Sequence, residues 1–231
     1  MNIDENIRNL EKIIGYEFKD KTILRSAITH SSFRNELKIN KWEDYQRLEF
    51  LGDAVLEIVV SDYLYHNHKD KAEGALSRLR AAMVCEYALA YCAGQIHLGD
   101  YILLGKGEAC SGGSLRPSIL CDVFEAVIGA IDLDGGFEVA SDYITRVHLD
   151  GIVENSLFVD SKSLIQERTQ AMGVTLEYEL IGEFGPDHDK SFEVALLIGG
   201  KRVSSAVGHN KKEAEQKAAF EALKQIEKGV N

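Results

Sequence analysis

QRLEFLGDAVLEIVV, residues 46–60, decides how this chain is read. Leu48, Leu51, Val55 and Ile58/Val59 recur at three- and four-residue spacing, which predicts an amphipathic helix with a core-facing stripe. Glu49, Asp53 and Glu57 also stand four residues apart and stack along one side of the same helix. Like charges at that spacing repel by roughly 0.2–0.5 kcal/mol per pair. Gly52, inside the helix, costs about 1 kcal/mol relative to alanine. Something outside the helix must compensate for the acids and explain the glycine.

A second segment repeats the anomaly. In SILCDVFEAVIGAIDLDGG, residues 118–136, Asp122 and Glu125 lie three apart on one side of an otherwise apolar helix. Acids at such spacing usually mark a solvated face, but Val123, Phe124, Ala126, Val127 and Ile128 surround this pair. Two helices offering such pairs to one cleft would gather four acids. Four acids so close cannot all stay ionised without a cation. Their hard oxygens suit Mg²⁺, with Mn²⁺ as an alternative, and ions held this way promote phosphodiester hydrolysis. Gly52 would let a neighbour approach the helix backbone. Glu57 reads as an exposed acid one turn on, and Asp132 and Asp134 as helix-end and turn residues before Gly135-Gly136.

Length and composition fit this picture. The 231 residues suit one large or two ordinary domains; 45% hydrophobic and 27% charged residues are typical of a soluble globular protein. The N-terminal residues are charged from the start, with no signal-peptide pattern. No apolar run approaches the ~18 residues of a membrane span. Cys85, Cys92, Cys110 and Cys121 lack the spacing of a zinc site; reduced thiols of a cytoplasmic protein are the simpler reading. The net charge of −11 argues against a nucleic-acid partner, yet the acids are unevenly spread. Residues 1–155 carry 16 Lys or Arg against 25 Asp or Glu; residues 156–231 carry 10 against 12.

The hydrophobic period divides the chain. Helices are predicted near 4–14, 20–31, 41–65, 73–93, 116–132 and 136–148, with no convincing strand among them. A helix over 160–172 follows. LEYELIGEFG, SFEVALLIGG and KRVSSAVGH then alternate as strands, the last two joined by a tight turn at IGGKR. A last helix spans 211–227. Its start carries Asn210 as N-cap and Glu213 in capping-box position, and Ala214, Ala218, Leu223 and Ile226 form its buried stripe. Lys211 and Lys212 occupy its first turn, where the helix dipole disfavours cations but free N–H groups suit a phosphate. The expected fold is an all-α domain, residues 1–152, then a small α+β domain of order α-β-β-β-α, residues 159–231.

QRLEFLGDAVLE resembles the signature of the ribonuclease III family, and RPSILCDVFEAVIGAIDLDGG resembles its second acidic motif. THSS (29–32), EGALSRLRAAMV (73–84) and LGKGE (104–108) are similar to stretches of bacterial members. The resemblance implies a Mg²⁺-dependent endonuclease domain in which Glu49, Asp122 and Glu125 ligate the metal. It implies that Asp53 and Glu125 serve catalysis, Asp53 by holding a water. Phe50 would enter a socket on the second subunit of a homodimer, its alternative being an ordinary core phenylalanine; Glu73 would line the cleft. The family usually has Glu where this chain has Gln46, which puts substrate handling there in question.

The second domain, with GPDHDK (185–190) and KKEAEQKAA (211–219), resembles a double-stranded RNA-binding domain. That module reads A-form shape through minor-groove 2′-hydroxyls and intervening phosphates. The resemblance implies contacts from Gln166 and His188 to 2′-hydroxyls and from Lys211 and Lys212 to phosphates, with Lys190 and Gln216 as weaker candidates. The implied activity is cleavage of RNA duplexes to 5′-phosphate and 3′-hydroxyl ends with short 3′ overhangs, on precursor ribosomal RNA and structured messenger RNA. A duplex-binding protein without chemistry is the rival, but all four principal acids are present. A nucleotide cofactor is excluded: five residues separate Gly99 from Gly105, and Gly107 follows Lys106, so GDYILLGKGE is no P-loop.

Overall fold

The computed structural model describes residues 3–38, 43–149, 161–185, 190–208 and 210–228. Two compact units divide the chain, Met1–Gly151 and Ile152–Asn231. The boundaries expected at 152 and 159 lie outside the described residues.

The first unit is helical: α1 (Ile3–Ile14), α2 (Lys21–Ala27), α3 (Ser31–Leu37), α4 (Gln46–Asn67), α5 (Glu73–Met83), α6 (Glu86–Gln95), α7 (Lys106–Cys110), α8 (Pro117–Gly135) and α9 (Phe137–Ile144). A π-helical turn, Thr145–Leu149, extends α9. The centre is α8. Pro117 at its first turn needs no intrahelical donor, and residues all round its circumference are buried, Ile119, Val123, Phe124, Val127, Ile128 and Ile131 among them. A helix apolar on every side must be enclosed, and α2, α4, α6 and α9 enclose it.

Three sequence expectations change here. The helix expected over 20–31 ends at Ala27, because His30 turns extended and caps a new helix with Nδ1 accepting from the Ser32 N–H. The 28–30 segment instead makes an isolated parallel bridge to Leu103, a strand-like contact that periodicity does not reveal. The helix expected over 73–93 breaks after Met83. Val84 leaves the helix and Cys85 is extended, with no glycine or proline to announce it. Finally, α4 begins at Gln46 rather than near 41, and Ile58 on its expected core stripe is 58% exposed while Leu56, Val60 and Leu64 are buried.

The second unit holds α10 (Ser161–Ala171), strands β1 (Leu176–Phe184), β2 (Ser191–Ile198) and β3 (Lys201–Gly208), and α11 (Lys211–Lys228). The strands form an antiparallel sheet in the order β1-β2-β3. Gly199 and Gly200, at φ 58° and 75°, make the two-residue turn between β2 and β3, a conformation that needs φ > 0 at both positions. The core joins Ile165, Leu196, Ala218, Ala219, Ala222 and Leu223. Alanines on α11 bring it close enough for Ser204 Oγ to donate to the Ala218 carbonyl at 2.6 Å. The capping box is formed in part as expected: Glu213 N–H donates to Asn210 Oδ1 at 2.9 Å. Among the described residues no helix is long and apolar enough to cross a membrane. The four cysteines are free, Cys92 and Cys121 buried, Cys85 half-buried and Cys110 exposed.

Candidate active site and nucleic-acid interface

The glycine anomaly resolves first. α4 crosses α8 backbone to backbone. A Cβ on Gly52 would run into the Glu125 carbonyl and reach 2.8 Å from the Gly129 nitrogen. A Cβ on Gly129 would run into the Leu48 carbonyl and reach 2.9 Å from the Gly52 nitrogen. Glu49 precedes Gly52 by three residues and Glu125 precedes Gly129 by four, so the contact brings the two acidic faces to one mouth.

The electrostatics follow from that proximity. Burial, then the charges of Asp53, Glu49 and Asp122, push Glu125 up to about 8, against a weak Cys121 hydrogen bond. Glu49 is raised by burial and by Asp122, Asp53 and Asp44. Asp122 is raised by burial, opposed by a hydrogen bond from Tyr45 and by nearby His30. Asp53 is exposed at the rim. All four principal acids therefore share one mouth, and each of the three others is held above its ordinary carboxylate range.

The three expected ligands are not drawn into a closed triad. Among the described residues, no three His, Cys, Asp or Glu side chains form a group that could enclose an ion. The donor set fits Mg²⁺ nonetheless: it offers hard, half-buried, mutually repelling oxygens. Mg²⁺ dehydrates reluctantly and keeps several waters, so the carboxylates that hold it need not close around it by themselves.

Around the mouth, Tyr45 O–H donates to Asp122 Oδ2 at 3.1 Å. Burial and the Asp122 charge hold the phenol far above its ordinary pKa, so it remains a donor. Asp44 is buried and paired with Arg34 at 2.9 Å. Glu57 departs from the exposed acid expected: it is half-buried and paired with Arg80 of α5 at 3.0 Å, and Arg80 also donates to Ser61 Oγ at 3.0 Å. Glu73 is exposed at the start of α5 and accepts from Ser77 at 2.7 Å. Gln46 is exposed on the first turn of α4. Asp134 is more than a helix-end residue, for its carboxylate accepts from Tyr16 O–H (2.7 Å), Lys19 N–H (2.9 Å) and Asp20 N–H (3.0 Å).

Phe50 is not a core residue of its own unit. It is 81% exposed, on the same helix as exposed Ile58 and Tyr65.

In the second unit, Gln166 is exposed on α10, and Lys211 and Lys212 are exposed at the start of α11. His188 lies outside the described residues. Glu183, at the end of β1, stands between two of the cations: its Oε1 is 3.7 Å from Lys211 Nζ and its Oε2 3.6 Å from Lys190 Nζ. Gln216 is half-buried on α11.

Sequence reasoning missed Tyr45, Gly129 and Glu183. Gly129 carried the same signal as Gly52, a glycine inside an apolar helix. Tyr45 and Glu183 carried none, since their partners are distant in the chain or across a loop.

Comparison with known proteins agrees with both units. Residues 20–152 match the family model described as ribonuclease-III-like, and residues 161–226 match the double-stranded RNA binding motif. Ribonuclease 3 of Caldanaerobacter subterraneus subsp. tengcongensis is 47% identical over 221 residues, 94% of this chain and 96% of that protein. Ribonuclease 3 of Campylobacter jejuni is 46% identical over 226 residues, 96% of this chain and 98% of that protein. A solved nuclease domain of ribonuclease III from Campylobacter jejuni superposes with a TM-score of 0.57 at 49% identity, covering 61% of this chain and 94% of the other. That structure was described for flexibility in a region involved in dimer formation.

Proposed function

Because this chain belongs to the ribonuclease III family, and is by that membership a double-stranded RNA endoribonuclease, we propose that it cuts RNA duplexes with Mg²⁺ at the mouth between α4 and α8. The observation that carries this reading is the backbone contact at Gly52 and Gly129, which sets Glu49 and Asp53 against Asp122 and Glu125.

Glu49, Asp122 and Glu125 would hold the cation and Asp53 would position the attacking water, the role its place at the exposed rim suits. A divalent ion bound there supplies Lewis-acid stabilisation of the phosphoryl oxygens and makes water acidic enough to attack at neutral pH. The protein's part is to keep acidic oxygens converged at a half-buried site, so that a bound cation relieves their repulsion and takes the place of the proton on Glu125. In-line attack on phosphorus releases the 3′ oxygen and leaves a 5′-phosphate.

The second domain would present the duplex, Lys211 and Lys212 on phosphates, Gln166 and His188 on 2′-hydroxyls. Exposed Phe50 supports a homodimer built on α4, which would give one cleft per strand and short 3′ overhangs. Two linked RNA-binding domains on one duplex would also offset the weak grip of each, whose 10 Lys or Arg are outnumbered by 12 Asp or Glu. Precursor ribosomal and structured messenger RNAs in the cytoplasm are the proposed substrates.

The test is a long RNA duplex incubated with purified protein, with and without MgCl₂. Glu125→Gln should still retard the duplex in a gel but not cut it. Cutting by that variant would overturn the assignment of the cleft.

A further inference from the structure

We propose that Tyr45 is a positioning residue that sets the direction of the Asp122 carboxylate, so that the cation meets this ligand already aimed. The inference rests on the reading of the cleft given above and names a residue that neither acidic motif contains.

Tyr45 stands immediately before α4 and is 6% exposed. Its hydroxyl reaches across 77 positions of sequence to Asp122 Oδ2 at 3.1 Å. Four further contacts fix where that hydroxyl can be. Tyr45 N–H donates to the Thr29 carbonyl at 3.0 Å, and the Tyr45 carbonyl accepts from Glu49 N–H at 2.8 Å, which starts the helix that carries Glu49 and Asp53. The ring leans against His30, centroids 5.7 Å apart and planes at 47°. His30 N–H in turn donates to the Leu103 carbonyl at 3.0 Å.

The wall behind the ring is itself braced. His30 Nδ1 accepts from Ser32 N–H at 3.2 Å, and Ser32 Oγ accepts from Gly105 N–H at 2.9 Å. Ser32 thus ties the imidazole ring to the segment that carries Gly105, and the ring cannot swing freely. The THSS and LGKGE segments, which touch none of the four principal acids in these contacts, become the support of the tyrosine.

A carboxylate with one oxygen held in this way loses less rotational freedom when the other takes a ligand. Groups that orient ligands from outside the coordination sphere are typically worth about tenfold to a hundredfold in metal affinity. Tyr45→Phe keeps the ring and its packing and removes only the hydroxyl. Two readouts would follow it: the rise in melting temperature on titration with MgCl₂ alone, and the Mg²⁺ dependence of duplex cleavage.

Both half-points should move to about tenfold higher Mg²⁺. The duplex concentration for half-maximal rate should stay unchanged, and excess Mg²⁺ should restore kcat. In an Asp122→Asn background, adding Tyr45→Phe should shift the thermal half-point no further. Unchanged half-points in the single variant, or an undiminished further shift in the double variant, would overturn the proposal. A wild type with neither a thermal response to MgCl₂ nor cleavage would remove the reading of the cleft, and this proposal with it.

Discussion

Gly52 and Gly129 face each other across the crossing of α4 and α8, and each occupies the space that the other's side chain would need. The obstacle on both sides is main chain, which cannot rotate away. Gly52→Ala and Gly129→Ala should therefore each destabilise the protein by about 3 kcal/mol or more, as overpacking against fixed backbone does. Gly94→Ala, where a Cβ would meet nothing within 4 Å in α6, should be neutral or gain about 0.5–1 kcal/mol. Urea unfolding measures all three. A Gly52→Ala protein as stable as wild type would show that the crossing can open without loss.

The raised carboxyls give the metal-free protein a defined pH dependence. Glu125 is pushed up to about 8, above an ordinary Glu near 4.3, so the folded state binds a proton that the unfolded chain has released. Stability must then fall as pH rises toward 8. His148, lowered by burial to about 4 despite a backbone hydrogen bond with Met83, works the other way, adding stability as pH rises from about 4 to 6.5. The clean window is pH 6.5 to 8. In EDTA the melting temperature should decline across it, and the stabilisation by MgCl₂ should grow. Glu125→Gln should flatten both trends and, at pH 8 in EDTA, melt higher than wild type. A wild-type melting temperature in EDTA that is level or rising across the window would contradict the mutual repulsion.

Both acidic pairs and the order of the second domain could be read from sequence because they are local: a period of three or four, an alternation of two, a cap before a helix. What escaped reading depends on partners far along the chain. Tyr45 and Asp122 meet across 77 positions, Glu57 looks solvated until Arg80 of another helix reaches it, and the end of α2 at Ala27 is set by a bridge to Leu103. Periodicity also assigns a face without saying what covers it. Ile58 fits the apolar stripe of α4 yet lies 58% exposed.

Phe50 separates folding from assembly. At 81% exposure its ring contributes little to its own unit, so Phe50→Ala should leave the unfolding midpoint of dilute protein nearly unchanged. As an aromatic anchor between subunits it should be worth about 2 kcal/mol, or roughly thirtyfold in the dimer Kd. Sedimentation over a concentration series checks this. Wild type that remains monomeric at micromolar concentration would count against the homodimer, and a variant that dimerises as well as wild type would count against Phe50.

Glu183 lies between Lys211 and Lys190 at 3.7 and 3.6 Å, on the surface proposed to hold phosphates. A carboxylate there competes with an RNA phosphate for the same two ammonium groups. The pairs are partly exposed and so individually weak, which sets the expected size: Glu183→Gln should tighten duplex binding only about twofold to threefold at low salt. Because the competing charge is screened over a Debye length near 10 Å at 0.1 M salt, the gain should fade as salt is raised. Lys211→Ala and Lys212→Ala should act oppositely, each weakening binding and lowering the slope of log K against log salt by about 1. Filter binding of one duplex across a salt series distinguishes these effects. If Glu183→Gln instead weakened binding at every salt concentration, the carboxylate would be holding the lysines in place for the phosphates rather than competing with them.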